Sequence, residues 1–402
     1  MSTVAGPRPH VHSDRTDPPP GPPASALSRL PSLTGMRWAA ALLVFGEHIL
    51  EQYLAPHFAV SQTVESGSWR LLKFAGAWGV TFFFMLSGFV LAWSARSNDT
   101  KLAFWRRRLA KIYPNHLVTM LAAVVLAVSV GITVTPGQLL THLTLTQVWL
   151  PDSQVLFALN GLSWSLCAEL FFYLSFPFVL PRLLRLSTRQ LWIAVVALPA
   201  IVITYQVAIM AVEQGNLRSW LTYFWPPPRL LEFVLGMTLA LLVKRGGWRG
   251  PGLRVSMTAL CVAMLVGMFL PDPLGRAPAV IIPVMLLLPA AALADVNGAR
   301  TLWSRPWMVY LGELSFAFYM VHLLVIRALH EHGLLPERVD VIAAVGGTTA
   351  LFALSFAAAV ALYHGVERPM MRVLSPRRQA GGRRRMPRSF GWKGRSAGDG
   401  LG

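Results

Sequence analysis

The chain has 402 residues, of which 54% are hydrophobic and 13% charged, with a mean hydropathy of +0.51. Soluble globular domains carry about a quarter charged residues, so this balance excludes one and points to an all-α, polytopic integral membrane protein. The formal charge of +18 gathers in tails and short loops, which suits a membrane surface and argues against nucleic acid as a partner.

Residues 1–31, rich in Pro, Gly, Ser and His, read as a disordered N-terminal tail and not as a cleavable signal peptide. Ten apolar runs follow, each long enough to cross ~30 Å of hydrocarbon: 33–52, 74–95, 114–133, 162–180, 191–212, 228–244, 254–270, 277–295, 307–330 and 340–364. The threonine-rich stretch at 137–150 is too short to cross alone and reads as an interfacial or re-entrant helix. A strongly basic tail, 371–402, reads as disordered. The two cysteines, Cys167 and Cys261, both lie in apolar runs, which leaves no disulfide framework or metal cluster.

Lys and Arg alternate along the loops. Arg106, Arg107, Arg108 and Lys111 fill one loop and Arg182, Arg185 and Arg189 another, whereas the intervening loops carry Arg70, Lys73, Arg218, Arg276 and Arg338 alone. By the positive-inside rule this places both termini in the cytoplasm of a cell with a multi-pass plasma-membrane protein.

Ionisable groups inside the runs are costly in lipid and usually face the protein interior. They are Arg37, Glu47, His48, Glu169, Glu232, Glu313, His322 and Arg327, of which Glu313 and Arg327 sit where a side chain snorkels. Eleven helical residues bring His48 back to within about 20° of Arg37, roughly 16 Å along the axis, so the two share a face. Glu47 points about 100° away and has no assigned partner.

These residues fall in a series of short blocks. LPSLTGMRWAAALLVFGEH opens it, followed by GVTFFFMLSGF at 79–89, FWRRRLAKIYP at 104–114, LSWSLCAELFFYLSFP at 162–177, RLLEFVLGM at 229–237, LGELSFAFYMVH at 311–322 and GVERP at 365–369. In this order they resemble the bacterial membrane-bound acyltransferase 3 family, over residues 32–370, which the resemblance makes the transmembrane acyltransferase domain. The departures are Thr81, where the family has an acidic residue, and Lys111, where it has arginine. The stand-alone form further resembles the macrolide O-acyltransferases of antibiotic producers.

The resemblance implies O-acylation of a hydroxyl on a sugar, polysaccharide or glycosylated small molecule, with acyl-coenzyme A as donor substrate, no metal and no permanently bound cofactor. Such chemistry needs a base, stabilisation of the oxyanion and a grip on an anionic donor. A neutral imidazole suits the base, which points to His48. By the family match Arg37 and Arg108 are the donor grip, with Lys111 of the same basic block beside them, and the resemblance implies that Glu169 joins His48 as a catalytic residue, orienting a catalytic or acceptor group. Ser87, Ser163, Trp164, Ser165, Tyr319 and His322 complete the candidate substrate-binding set. Helix contact for Ser87, helix capping for Ser163 or Ser165, an interfacial belt for Trp164 and packing for Tyr319 and His322 remain open, as does an interfacial place for Glu367. The competing class is a proton-coupled transporter using Arg37, His48 and Glu169 as a relay, although the blocks occur once each and show no internal repeat.

Overall fold

A computed structural model describes residues 30–54, 72–95, 99–336 and 340–374. Both expected tails lie outside these residues except at their inner ends, where Leu30 precedes the first helix and Pro31 and residues 371–374 are helical, against their reading as disordered. The described residues form helices and connecting turns, with no strand.

We number the main helices α1 (Pro31–Ile49), α2 (Ala75–Ser94), α3 (Lys101–Ser129), α4 (Pro136–Leu143), α5 (Trp164–Arg185), α6 (Thr188–Ile209), α7 (Pro226–Lys244), α8 (Leu253–Gly267), α9 (Ala277–Val296), α10 (Pro306–Glu331), α11 (Val341–Leu362) and α12 (Arg368–Leu374). Local chemistry sets several ends. Thr100 accepts from the Ala103 N–H to start α3, Thr135 with Gln138 and Ser187 with Gln190 form capping boxes on α4 and α6, and Asp340 caps α11.

Every one of the ten expected runs contains a helix, but among the described residues eight helices are long and apolar enough to cross a membrane. The two that fall short are α1, whose apolar run is interrupted by Arg37, Glu47 and His48, and α8. At 1.5 Å per residue, the 15 residues of α8 reach about 22 Å, less than the hydrocarbon thickness. With 8 residues, α4 is shorter still, in keeping with a segment that does not cross.

At the centre stands α2, 83% buried over its most apolar window, against 11% for the peripheral Val341–Leu374 segment. It packs against α7 more closely than side chains allow. A Cβ on Gly88 would collide with the Phe233 carbonyl, and one on Gly236 with the Met85 carbonyl, so each glycine admits the other helix's backbone. Lipid offers no hydrophobic drive between helices, and close backbone approach with the dispersion it brings holds such a pair together. Around this pair, α1 packs on α2 and α10, and α9 on α2, α7 and α8.

One boundary departs from the sequence reading. The third run was expected to start at 114 with a basic loop before it, whereas α3 begins at Lys101 and continues through Pro114. Arg106, Arg107, Arg108 and Lys111 therefore sit on a helix, where spacing decides which way each points.

Candidate active site

Four adjoining cavities run through the helix bundle. The first, about 370 Å³, is the basic mouth, bordered by Arg37, Lys111, Arg368 and Arg372 with Glu313 and Tyr363. Next comes an inner chamber of about 150 Å³, and Arg37 and Lys111 border both. A neck of about 70 Å³ shares Arg37, Phe83, Glu169 and Phe316 with the inner chamber. Beyond it, a far chamber of about 360 Å³ shares Val80 and Tyr319 with the neck.

Helical spacing sorts the basic block at the mouth. Arg108 and Lys111, three residues apart, share a face and both border the inner chamber. Arg107 instead pairs with Asp99 at the surface, and Arg106 borders none of the four cavities. Lys111 is held from behind, donating to Glu367 Oε1 at 2.7 Å, while Asn115 Nδ2 donates to Oε2 of the same carboxylate at 2.7 Å. Glu367 is 1% exposed, so its alternative place at the interface is overturned: it is the buried anchor of the Lys111 ammonium.

The inner chamber and neck meet around Glu169. Its carboxylate borders both, with Arg37 from α1 alongside, and Ser87 and Tyr173 complete the polar side of the inner chamber. Ser87, on α2, thus faces a cavity. Tyr173 was not singled out from the sequence, although its place four residues after Glu169 puts both on one face of α5. Ser165, one turn before Glu169, borders the neck, and its Oγ lies 2.8 Å from the Tyr319 hydroxyl at the passage to the far chamber.

His48 borders the far chamber. Its Nδ1 lies 2.8 Å from the Val44 carbonyl, one turn earlier. A carbonyl accepts and never donates, so Nδ1 carries the hydrogen and Nε2 holds the lone pair. Glu47 borders the same chamber and is 8% exposed, its carboxylate fitted against Gly76 of α2, where a Cβ would collide with it. Its 100° offset from His48 is spanned by the width of the cavity. Aromatic rings of Trp164, Trp220, Tyr223 and Phe224 form the walls. Trp164 is 4% exposed, which removes it from an interfacial belt. On the rim, Arg276 holds Asp272 through Nε–Oδ1 and Nη2–Oδ2 contacts of 2.5 and 3.0 Å. Burial works against the Asp272 charge, but the guanidinium outweighs it and keeps the carboxyl below its ordinary range.

Two candidates stand elsewhere. Ser163 borders none of the four cavities and caps no helix with its side chain: its Oγ donates to the Asn160 carbonyl at 2.7 Å and accepts from Gln147 Nε2 at 2.9 Å, closing the 147–163 segment on itself just before α5. His322 is fully buried and borders none of the four cavities, standing behind His48 with its Nε2 3.5 Å from His48 Nδ1. The remaining intramembrane charges have partners: Glu232 pairs with Arg229 at 2.6 Å, Glu313 accepts from the Tyr363 hydroxyl, and Arg327 donates to the Leu159 carbonyl. Glu313 is exposed and Arg327 partly so, and each also has a hydrogen-bond partner in the protein. Among the described residues, no three His, Cys, Asp or Glu side chains come together as a metal site.

A family model for an acyltransferase domain matches residues 30–364. The chain is 41% identical to the acyltransferase MdmB of Streptomyces mycarofaciens over 87% of this chain and 94% of that protein. It is 27% identical to the exopolysaccharide production protein ExoZ of Rhizobium meliloti, over 76% of this chain and 93% of that one. No solved structure matches.

Proposed function

Because this chain belongs to the acyltransferase 3 family, we propose that it moves a short acyl group from acyl-coenzyme A to a hydroxyl of a sugar, polysaccharide or glycosylated natural product such as a macrolide. Membership makes it an acyltransferase for groups other than aminoacyl groups, which sets aside the permease. The observation that carries the finer reading is His48 in its Nδ1–H tautomer, with a basic Nε2, on a chamber joined through a neck to a mouth of cations.

Donor phosphates bind at the mouth, where Arg37, Lys111, Arg368 and Arg372 supply charge. The pantetheine arm passes Arg108, Ser87 and Glu169 in the inner chamber and carries the thioester through the neck, past Ser165 and Tyr319. The acceptor hydroxyl occupies the far chamber beside Trp164. His48 Nε2 takes its proton as the oxygen attacks the thioester carbonyl. When the tetrahedral intermediate collapses, the C–S bond breaks and His48 returns the proton to the departing thiolate, giving the ester and free coenzyme A. Glu169, beside Arg37, orients the guanidinium and the donor. The distribution of Lys and Arg supports a cytoplasmic mouth in the plasma membrane with both termini on that side.

The test is purified protein with acetyl-, propionyl- and longer acyl-coenzyme A against a panel of glycosylated acceptors, followed by mass spectrometry. An acylated acceptor, absent with His48→Ala protein that inserts normally, is the expected result. Full transfer by His48→Ala, or solute flux in proteoliposomes without coenzyme A release, overturns it.

A further inference from the structure

We infer that His322 is a positioning residue for His48, an inference that rests on His48 being the base. The geometry leaves one self-consistent arrangement of hydrogens. His322 Nδ1 lies 3.1 Å from the Phe318 carbonyl, so it carries a hydrogen and Nε2 holds the lone pair. His48 Nδ1 also carries a hydrogen, toward the Val44 carbonyl. The two facing nitrogens, 3.5 Å apart, are then one donor and one acceptor, and the His48 N–H is shared between Val44 and His322. In the opposite tautomer of His48, three lone pairs would converge on one point in a buried place, an arrangement with no compensating donor.

The surroundings suit this role and no other on the reaction path. His322 is sealed among Phe45, Phe318 and Tyr319, with ring centroids at 5.8, 5.6 and 6.1 Å, and it borders none of the four cavities, so it touches no substrate. Its own ring is fixed by a backbone carbonyl and packed nearly parallel to Phe318, with 19° between planes. When His48 Nε2 takes the acceptor proton, the ring becomes an imidazolium and its Nδ1–H becomes a charged donor. A neutral acceptor waiting in a dry pocket strengthens its bond to such a donor and stabilises the charge without reorganisation. The proton stays on His48 and leaves with the thiolate, and His322 remains neutral throughout.

Three variants of the full-length protein separate the possibilities, assayed with acetyl-coenzyme A and the acceptor that the panel selects. His322→Phe keeps a flat ring and removes the acceptor atom, whereas His322→Gln places an amide oxygen near the Nε2 position; His48→Ala is the third. We expect His322→Phe to lower kcat at least tenfold with both KM values within about twofold, and His322→Gln to recover most of the loss. A His322→Phe enzyme with kcat within twofold of the parent overturns the inference while an inactive His48→Ala leaves the base intact. Equal losses in the Phe and Gln variants, with both KM values raised, also overturn it, because they report packing. Activity in His48→Ala overturns the reading beneath it. Should His322→Phe fail to insert, histidine ¹⁵N spectra of the parent protein decide: both His48 and His322 are expected as Nδ1–H tautomers, and an Nε2–H tautomer at His48 overturns the inference.

Discussion

Lys111 Nζ donates to Glu367 Oε1 at 2.7 Å, joining α3 to the turn after α11 across 256 positions of sequence. The carboxylate is fully buried and the ammonium partly exposed toward the mouth, so the pair is a fixed cation presented to a ligand. Glu367→Gln removes the counter-charge and leaves Lys111 free to turn away. We expect KM for acyl-coenzyme A to rise about tenfold, equal to about 1.4 kcal/mol of binding, with little change in kcat. Initial rates over a range of donor concentrations check this, and an unchanged KM removes Lys111 from the donor grip.

His48→Gln removes the base and keeps a hydrogen-bonding side chain of similar length. Loss of general base catalysis typically costs about 10² to 10⁴ in rate. Transfer is expected to fall by that order while binding of a non-hydrolysable acyl-coenzyme A analogue, followed by calorimetry, stays within a few-fold of the parent.

Gly76→Ala places a methyl group where the Glu47 carboxylate lies. Overpacking of this kind costs about 1–3 kcal/mol. The variant is expected to melt several degrees below the parent, and Gly76→Ala with Glu47→Ala to melt above Gly76→Ala alone, since the second change opens the space the first needs. Additive losses in this cycle, measured by thermal unfolding in detergent, would show that the two residues do not meet.

His142, on α4 outside the crossing segments, has its pKa lowered by burial, so the folded protein binds its proton less readily than the unfolded chain does. Stability from the neutral ring is therefore fully present above the unfolded value of about 6.5 and is lost as pH falls through the folded one. Melting temperature is expected to drop between pH 7.5 and 5.5, and His142→Gln, whose amide still donates toward the Val155 carbonyl, to flatten that drop. An identical pH dependence in the variant would remove His142 from the account.

Much of the architecture was legible along the chain because a helix has one period and a bilayer one thickness. The apolar runs became helices, Arg37 and His48 both reached cavities, and Arg108 with Lys111 separated from Arg106 and Arg107 once α3 was seen to begin at Lys101. The block order from Leu30 to Pro369 carried the family. Less legible was α8, where composition marked an apolar segment but a 15-residue helix limits its reach.

By itself the sequence determined the solvent, the helices and the acyltransferase family, since each follows from local composition, period or block order. Tertiary structure alone decided that Glu367 anchors Lys111, that Glu47 shares a chamber with His48, that Ser163 holds a loop segment and that His322 stands behind His48. The Glu367–Lys111 and His322–His48 relations join residues from different helical elements, 256 and 274 positions apart, and no periodicity within one helix records which neighbour it will meet. Helix packing settles the choice, through close contacts such as Gly88 against Phe233 and Gly76 against Glu47.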